Sequence, residues 1–126
     1  MKRKITVGIV GAGFVGRAVA HGFNEQNVVL IDPLLGTHTT DLLDKKPDVV
    51  FICVPTPMGE NGQIDSSIVE KVLGELKDLD TLLVLKSTVI PDIVDRLSKQ
   101  YKNFIYNPEF LTEKNAAWDF ENPFVH

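Results

Sequence analysis

The stretch Gly11-Ala12-Gly13-Phe14-Val15-Gly16 matches the pattern GxGxxG and lies between an apolar run and a segment of helical spacing. Each of the three glycines in this pattern serves a different physical purpose. Gly11 permits a tight turn, Gly13 lets the backbone approach a pyrophosphate, and Gly16 lets the helix pack close to the strand. The phosphates would meet the free N–H groups of the helix N-terminus, where the helix dipole favours negative charge. The stretch predicts a dinucleotide-binding turn, and a purely structural glycine turn is the alternative.

An acidic residue follows at the distance expected for ribose recognition. Asp32 ends the second apolar run, 21 positions after Gly11, close to the usual offset of about 20. A carboxylate accepts a hydrogen bond from a free 2′-hydroxyl and repels a 2′-phosphate. The next residues, Pro33-Leu34-Leu35, include no arginine or lysine. The sequence therefore predicts NAD rather than NADP, and a surface aspartate in a turn before proline is the alternative.

Apolar runs alternate with segments of helical spacing along the chain. Short runs that are rich in β-branched residues predict strands buried on both faces; they are 5–10, 28–31, 49–54, 82–85 and 104–106. Apolar positions at helical spacing predict helices at 14–23, 68–76 and 90–101. The alternation predicts an α/β fold, a doubly wound, Rossmann-like parallel sheet with helices on both faces.

Length, composition and charge narrow the class of protein. The 126 residues suit one dinucleotide-binding domain, residues 1–126. A net charge of -4 favours neither nucleic acid nor an anionic membrane as partner. No run approaches the roughly 18 apolar residues of a membrane span. One cysteine and three scattered histidines suggest no disulfide and no metal site. We expect a cytoplasmic protein without a metal.

Three further loops follow predicted strands and would meet at the carboxyl edge of the sheet. They are Val54-Pro55-Thr56-Pro57, Lys86-Ser87-Thr88-Val89-Ile90-Pro91 and Asn107-Pro108-Glu109-Phe110-Leu111-Thr112-Glu113. With the glycine turn and Asp32, and in this order, they resemble the N-terminal NAD-binding domain of the UDP-glucose/GDP-mannose dehydrogenase family. The resemblance covers nearly the whole chain, and its last loop is far more specific than the glycine turn.

The resemblance implies an oxidoreductase with NAD as cofactor and a nucleotide sugar as substrate. The implied reaction oxidises the C6 alcohol to a carboxylate in two steps, from UDP-glucose to UDP-glucuronate with two NAD. It passes through a cysteine thiohemiacetal and then a thioester. The resemblance also implies a role in polysaccharide biosynthesis and a homo-oligomeric parent protein.

Site residues follow from the resemblance by position. Implied cofactor contacts are Gly11, Gly13, Phe14, Val15, Gly16, Asp32, Pro33, Val54, Pro55, Thr56, Ser87, Thr88 and Glu113. Implied catalytic residues are Thr88, which would hold a water, with Glu109 and Glu113. Glu109, Phe110 and Leu111 would line the substrate. A hydroxyl and a carboxylate can together hold a water for thioester hydrolysis.

Several of these residues have simpler structural explanations. Pro55 and Pro57 can simply end a strand, and Ser87 and Thr88 can cap the helix that begins near Pro91. The two glutamates of the last loop, four positions apart, can form a solvated helix face. We expect Lys86 to be structural. These alternatives leave the roles of the later loops open at this point.

The chain also departs from the family pattern. The segment after Asp32 is short, so we expect the sheet to be trimmed after strand two. We expect the family's central helix, its C-terminal UDP-binding domain and its nucleophilic cysteine to lie outside this chain. Cys53 falls in a buried run, and burial makes a thiol inert.

Two other functions remain open on the sequence alone. One is a stand-alone NAD-binding module without turnover. The other is a Rossmann dehydrogenase of small hydroxy acids, against which the last loop argues.

Overall fold

Five parallel strands form one sheet in the computed structural model, which describes residues 5–23 and 27–108. The strands are β1 (Thr6–Val10), β2 (Asn27–Ile31), β3 (Val49–Ile52), β4 (Leu82–Leu85) and β5 (Phe104–Tyr106). Their order in the sheet is β2-β1-β3-β4-β5, and every neighbouring pair is parallel. The predicted parallel sheet is confirmed, although β3 ends two residues earlier than its apolar run suggested.

In the described part of the chain, an α-helix lies between each strand and the next. These helices are α1 (Phe14–Gly22), α2 (Asp41–Lys45), α3 (Ser67–Glu75) and α4 (Pro91–Gln100). The three longer helices confirm the helical spacing found in the sequence. The five-residue α2 was not predicted, because its segment is too short for a helical period to stand out.

The helices cover both faces of the sheet, as predicted. On one face, β1 packs against α1 through Val7, Ile9 and Val19, all fully buried. On the other face, the alternate strand residues pack against α3 and α4 in a larger cluster that includes Val50, Ile52, Val69, Leu73 and Leu97. Because both faces are apolar, the strands carry no polar alternation.

The sheet is trimmed at the β2 edge. Between β2 and β3 the chain forms only a 3₁₀ turn at Pro33–Leu35 and the short α2. Leu42 of α2 is fully buried over Gly8 of β1, where a Cβ atom would lie 2.9 Å from Leu42 Cδ2. One leucine from a five-residue helix therefore closes the core beside β1.

The strand order reverses at β1, whose neighbours are β2 on one side and β3 on the other. The connections after these strands leave the sheet in opposite directions, so a crevice forms outside the carboxyl ends of β1 and β3. This crevice is where ligands bind in doubly wound sheets. Across residues 5–23 and 27–108, no helix has the length and apolar character to cross a membrane.

Candidate cofactor-binding site

A crevice of about 540 Å³ lies at the carboxyl edge of the sheet, within the usual volume range of ligand pockets. Four segments line it: Gly11, Ala12, Gly13, Val15 and Arg17; Asp32, Leu34 and Leu35; Cys53, Val54, Pro55 and Thr56; and Lys86, Ser87 and Thr88. The structure thus brings together the glycine turn, Asp32 and two of the three later loops.

The fold itself requires two glycines of the turn. Gly11 has φ of +103°, and a Cβ atom there would lie 2.6 Å from the Cys53 carbonyl oxygen. Its amide donates to the Ile31 carbonyl at 2.7 Å, which links the turn to β2. At Gly16 a Cβ atom would lie 1.8 Å from the Gly11 carbonyl oxygen. Gly16 therefore lets α1 approach the turn, as the sequence predicted.

Gly13 has no such requirement in the part of the chain that the structure describes. Its φ of -79° is open to any residue, and a Cβ atom there would meet no heavy atom within 4 Å. No side chain among the described residues caps α1, and its first turn carries no acidic residue. The free N–H groups at the helix start therefore border an open space, which suits a phosphate that must come close to the backbone.

Asp32 lies at one end of this crevice, beside the glycine turn. Its Oδ2 accepts from the Ala12 amide at 2.8 Å, and its Oδ1 accepts from the Leu34 amide at 2.9 Å. These two bonds lower the pKa of Asp32 below its usual 3.8, so the carboxylate is ionised at neutral pH. The predicted ribose acid is thus charged and held in place beside the glycine turn.

The loop after Asp32 is closed by Thr37. Its Oγ1 accepts from the Asp32 amide at 2.8 Å and donates to the Leu30 carbonyl at 3.1 Å. Pro33 is exposed at the start of the 3₁₀ turn, and the contacts to the crevice come from Leu34 and Leu35 instead. Leu34 is 95% exposed, so an apolar side chain stands uncovered beside Asp32 at the crevice.

Arg17 also reaches the crevice, and sequence reasoning missed it. Its Nε donates to the Ala12 carbonyl at 2.9 Å, and its charge contributes to the lowered pKa of Asp32. The stretch after Asp32 contains no basic residue, whereas Arg17 comes from α1. Side chains of a helix tilt towards its N-terminus, and that tilt is the signal that could have found this residue.

Cys53 is less buried than the sequence predicted. It lies one residue beyond β3, is only half-buried and lines the crevice. Burial nevertheless raises the pKa of the Cys53 thiol to about 12, and the nearby charge of Lys86 offsets this only in part. The thiol is therefore protonated at neutral pH and is a poor nucleophile there.

The loop after β4 is fixed on both sides and leaves Thr88 exposed. Ser87 Oγ donates to the Val54 carbonyl at 2.6 Å and is buried, so its hydroxyl ties this loop to the one after β3. The Val89 amide donates to the Tyr106 hydroxyl at 3.1 Å. Ile90 is the N-cap of α4, so the alternative that Ser87 and Thr88 cap this helix is wrong.

The remaining predicted site residues, Glu109, Phe110, Leu111 and Glu113, lie outside the described residues. Lys86 is buried at the base of the crevice, and its amide donates to the Ile52 carbonyl at 2.9 Å. In the part of the chain that the structure describes, no group of three or more histidine, cysteine, aspartate or glutamate residues could hold a metal ion.

The sequence matches known proteins over most of its length. Residues 34–124 match the UDP-glucose/GDP-mannose dehydrogenase family, NAD binding domain. The UDP-glucose 6-dehydrogenase of Rickettsia bellii is 36% identical over 88 residues, which cover 63% of this chain and 20% of that protein. The GDP-mannose 6-dehydrogenase of Pseudomonas aeruginosa is 34% identical over 94 residues, 60% of this chain and 22% of that protein. The chain thus spans about a fifth of the length of these relatives.

The fold matches as well. A crystal structure of a ternary complex of GDP-mannose dehydrogenase from Pseudomonas aeruginosa superposes with a TM-score of 0.64 and 25% identity. The superposition covers 90% of this chain and 38% of that one. The crevice of the present chain therefore lies in a fold that this dehydrogenase shares. On the sequence match, the chain belongs to the UDP-glucose/GDP-mannose dehydrogenase family and carries its NAD-binding domain.

Proposed function

We propose that this domain holds NAD for a nucleotide-sugar dehydrogenase that oxidises UDP-glucose at C6 to UDP-glucuronate. The observation that carries the proposal is the open space at Gly13, because neither backbone conformation nor packing among the described residues requires a glycine there. Dehydrogenases of UDP-glucose and of GDP-mannose are both among the relatives. GDP-mannose is therefore the second candidate substrate.

The lining of the crevice suggests how the cofactor lies. The adenosine ribose would bond to Asp32, and the pyrophosphate would meet the first N–H groups of α1 beside Gly13. The nicotinamide end would then extend towards Thr56 and Thr88, on the far side of β1 from β2. When bound, NAD accepts the hydride that leaves C6.

The residues of this chain can support part of the chemistry. Two hydrides leave C6 in total, and the oxygen of one water enters to give the carboxylate. Thr88 is exposed and lines the crevice, and we assign the holding of this water to its hydroxyl and the companion carboxylates to Glu109 and Glu113. Substrate contacts would come from Glu109, Phe110 and Leu111. The thiolate for the thioester step must come from elsewhere, because the pKa of Cys53 is about 12.

Cellular context forms part of the same proposal. We place the domain, residues 1–126, in a cytoplasmic, homo-oligomeric parent enzyme of polysaccharide biosynthesis. The single cysteine is compatible with a reducing compartment.

Replacing Gly13 tests the cofactor site without disturbing the fold. Because a Cβ atom at this position meets no described atom within 4 Å, Gly13→Val should lower the free energy of unfolding only by about 1 kcal/mol, the usual cost of a poorer residue at a helix N-cap. NAD binding, measured by isothermal titration calorimetry on the 126-residue chain, should fall by more than about tenfold because the valine side chain fills the space meant for the pyrophosphate.

Gly74 provides the matched control. It lies in α3, where a Cβ atom also meets nothing within 4 Å, so Gly74→Ala should stabilise the helix slightly and leave the NAD affinity unchanged. If Gly13→Val binds NAD as tightly as the original chain, the phosphate does not lie at this turn. If the original chain fails to bind NAD, the proposed function is wrong.

A further inference from the structure

The loop that carries Thr88 connects β4 to α4, and its residues 86–90 belong to no helix or strand. Its path is therefore set by individual bonds rather than by the repeating pattern of a helix or a sheet. The two neighbours of Thr88, Ser87 and Val89, are buried, whereas Thr88 itself is exposed and lines the crevice. The place of the Thr88 side chain therefore depends on how Ser87 and Val89 are held.

Ser87 fixes the loop on the side of β3. Its buried hydroxyl donates to the Val54 carbonyl at 2.6 Å. Val54 is followed by Pro55 and Thr56, which also line the crevice. The bond therefore sets the spacing between the loops after β3 and β4, at the end of the crevice where we place the nicotinamide. The other side of the loop, towards β5, is fixed by a different group.

Tyr106 fixes the loop on the side of β5. Its hydroxyl accepts from the Val89 amide at 3.1 Å and donates to the Val89 carbonyl at 3.3 Å. One hydroxyl can do both because it carries a proton and accepting lone pairs. The tyrosine packs against the core and pairs with Leu85 in the sheet. The sheet itself therefore holds the hydroxyl that bonds to the loop.

The contact between Tyr106 and Val89 also has a purely structural explanation. Val89 is 5% exposed, and buried backbone groups without partners are costly, so the hydroxyl satisfies the two polar groups of this residue. That explanation alone predicts a lower stability and no effect at the crevice. Thr88, however, precedes Val89 directly, and a planar peptide unit keeps their Cα atoms about 3.8 Å apart. A shift of Val89 therefore moves Thr88 as well.

We propose that Tyr106 is a positioning residue of the cofactor site, whose hydroxyl acts through Val89 to hold Thr88 at the end of the crevice that takes the nicotinamide. Tyr106 does not line the crevice itself, so it acts through the loop and not by touching the ligand. The inference rests on the proposed function and adds to the same site a residue from β5.

The test compares NAD with ADP-ribose, which is NAD without its nicotinamide, by titration calorimetry on the 126-residue chain. Tyr106→Phe removes only the hydroxyl. It should weaken NAD binding by about three- to tenfold, the size expected for one hydrogen bond, and leave ADP-ribose binding unchanged. A change at the nicotinamide end alone is a result that a general loss of stability would not produce.

Tyr101→Phe is the matched control, because it also removes one tyrosine hydroxyl. Tyr101 follows α4 and precedes β5, so it lies at the amino edge of the sheet, opposite the crevice. Its hydroxyl accepts from Gln100 Nε2 at 3.4 Å. Tyr101→Phe should change neither the NAD affinity nor the ADP-ribose affinity.

A double-mutant cycle with Thr88→Ala tests the route of the effect. If Tyr106 acts through Thr88, Thr88→Ala should itself weaken NAD binding by a similar factor and leave ADP-ribose binding unchanged. Adding Tyr106→Phe to Thr88→Ala should then change the NAD affinity no further. Losses that multiply in the double variant would show that the two residues act independently and would overturn the inference.

The remaining outcomes distinguish this inference from the proposed function. If Tyr106→Phe weakens NAD and ADP-ribose binding by the same factor, or unfolds the chain in a urea titration, the hydroxyl only supports the fold, and the positioning role is wrong. An unchanged NAD affinity overturns it as well. In each case NAD binding by the original chain leaves the proposed function standing, whereas failure of the original chain to bind NAD contradicts that function.

Discussion

The backbone amide of Ala12 donates to Asp32 Oδ2 over 2.8 Å, which joins the turn after β1 to the acid at the end of β2. The bond fixes the position of the carboxylate at the edge of the crevice. It also keeps the carboxylate charged, because it is the largest cause of the lowered pKa of Asp32. Stabilisation from this lowered pKa is present above the ordinary value of 3.8 and is lost as the pH falls through the folded value.

Removal of the Asp32 side chain should weaken NAD binding. We expect Asp32→Ala to cost about 1 to 3 kcal/mol of binding free energy, the usual contribution of a hydrogen bond to a charged group. Titration calorimetry at neutral pH measures the change. Asp95→Ala, at an exposed position of α4, is the control for loss of one negative charge. Equal NAD affinities of the two variants would contradict the role of Asp32.

Two buried threonines should respond in opposite directions to replacement by valine. Both are 5% exposed. Thr81 Oγ1 has no hydrogen-bond partner in the described part of the chain, whereas Thr39 Oγ1 donates to Glu75 Oε1 at 2.9 Å. Thr81→Val should raise the free energy of unfolding by about 1 kcal/mol because it removes an unsatisfied buried hydroxyl, and Thr39→Val should lower it by about 1 to 2 kcal/mol.

Urea denaturation of the two valine variants checks the signs. Each variant exchanges a hydroxyl for a methyl group at a similarly buried site, so the threonines are controls for each other. A loss of stability in Thr81→Val would mean that its hydroxyl is bonded in solution.

The ion pair between α3 and α4 should give a pH-dependent stability. Glu70 contacts Arg96 and accepts from Ser66 Oγ at 2.8 Å, and the bond to Arg96 is the largest cause of its pKa falling below the usual 4.5. A lowered pKa stabilises the fold above pH 4.5 and ceases to do so as the pH falls through the folded value. Because the pair is partly exposed, Glu70→Gln should cost only about 0.5 kcal/mol at neutral pH.

Urea unfolding at a series of pH values measures this effect. The difference between Glu70→Gln and the original chain should be constant from neutral pH down to about pH 5 and then shrink. Glu60→Gln, at an exposed loop position, is the control with the same change of charge. A difference that stays constant at lower pH would exclude Glu70 ionisation as its source.

Cys53 should react slowly with thiol reagents in the folded chain. Its pKa of about 12, against an ordinary 9.0, leaves about a thousandfold less thiolate at mildly alkaline pH, and the thiolate is the reactive form. Labelling kinetics in the presence and absence of urea measure the difference. Similar rates in the two conditions would mean that the crevice leaves the sulfur solvated.

Sequence patterns predict the features that depend on the type and spacing of residues within one segment of the chain. The strands follow from β-branched runs, and the position of Asp32 follows from its offset to Gly11. Other features depend on contacts between distant segments. Arg17 reaches the crevice from α1, and α2 forms where Leu42 can cover Gly8. Their neighbours are brought close only by the folded sheet, so no single window of sequence reveals them.

The last expectation concerns turnover by the 126-residue chain. It should bind NAD but form no carboxylate from UDP-glucose or GDP-mannose, so two NADH per sugar should not appear. Covalent oxidation to the acid needs a thiolate, and the one cysteine of the chain, Cys53, has a pKa of about 12. NADH absorbance measures turnover, and the UDP-glucose 6-dehydrogenase of Rickettsia bellii, assayed in parallel with UDP-glucose, is the positive control. Formation of two NADH per sugar that survives Cys53→Ser would show that this chain completes the oxidation without a thiol, whereas two-NADH formation that this variant abolishes would show that Cys53 ionises when substrate binds.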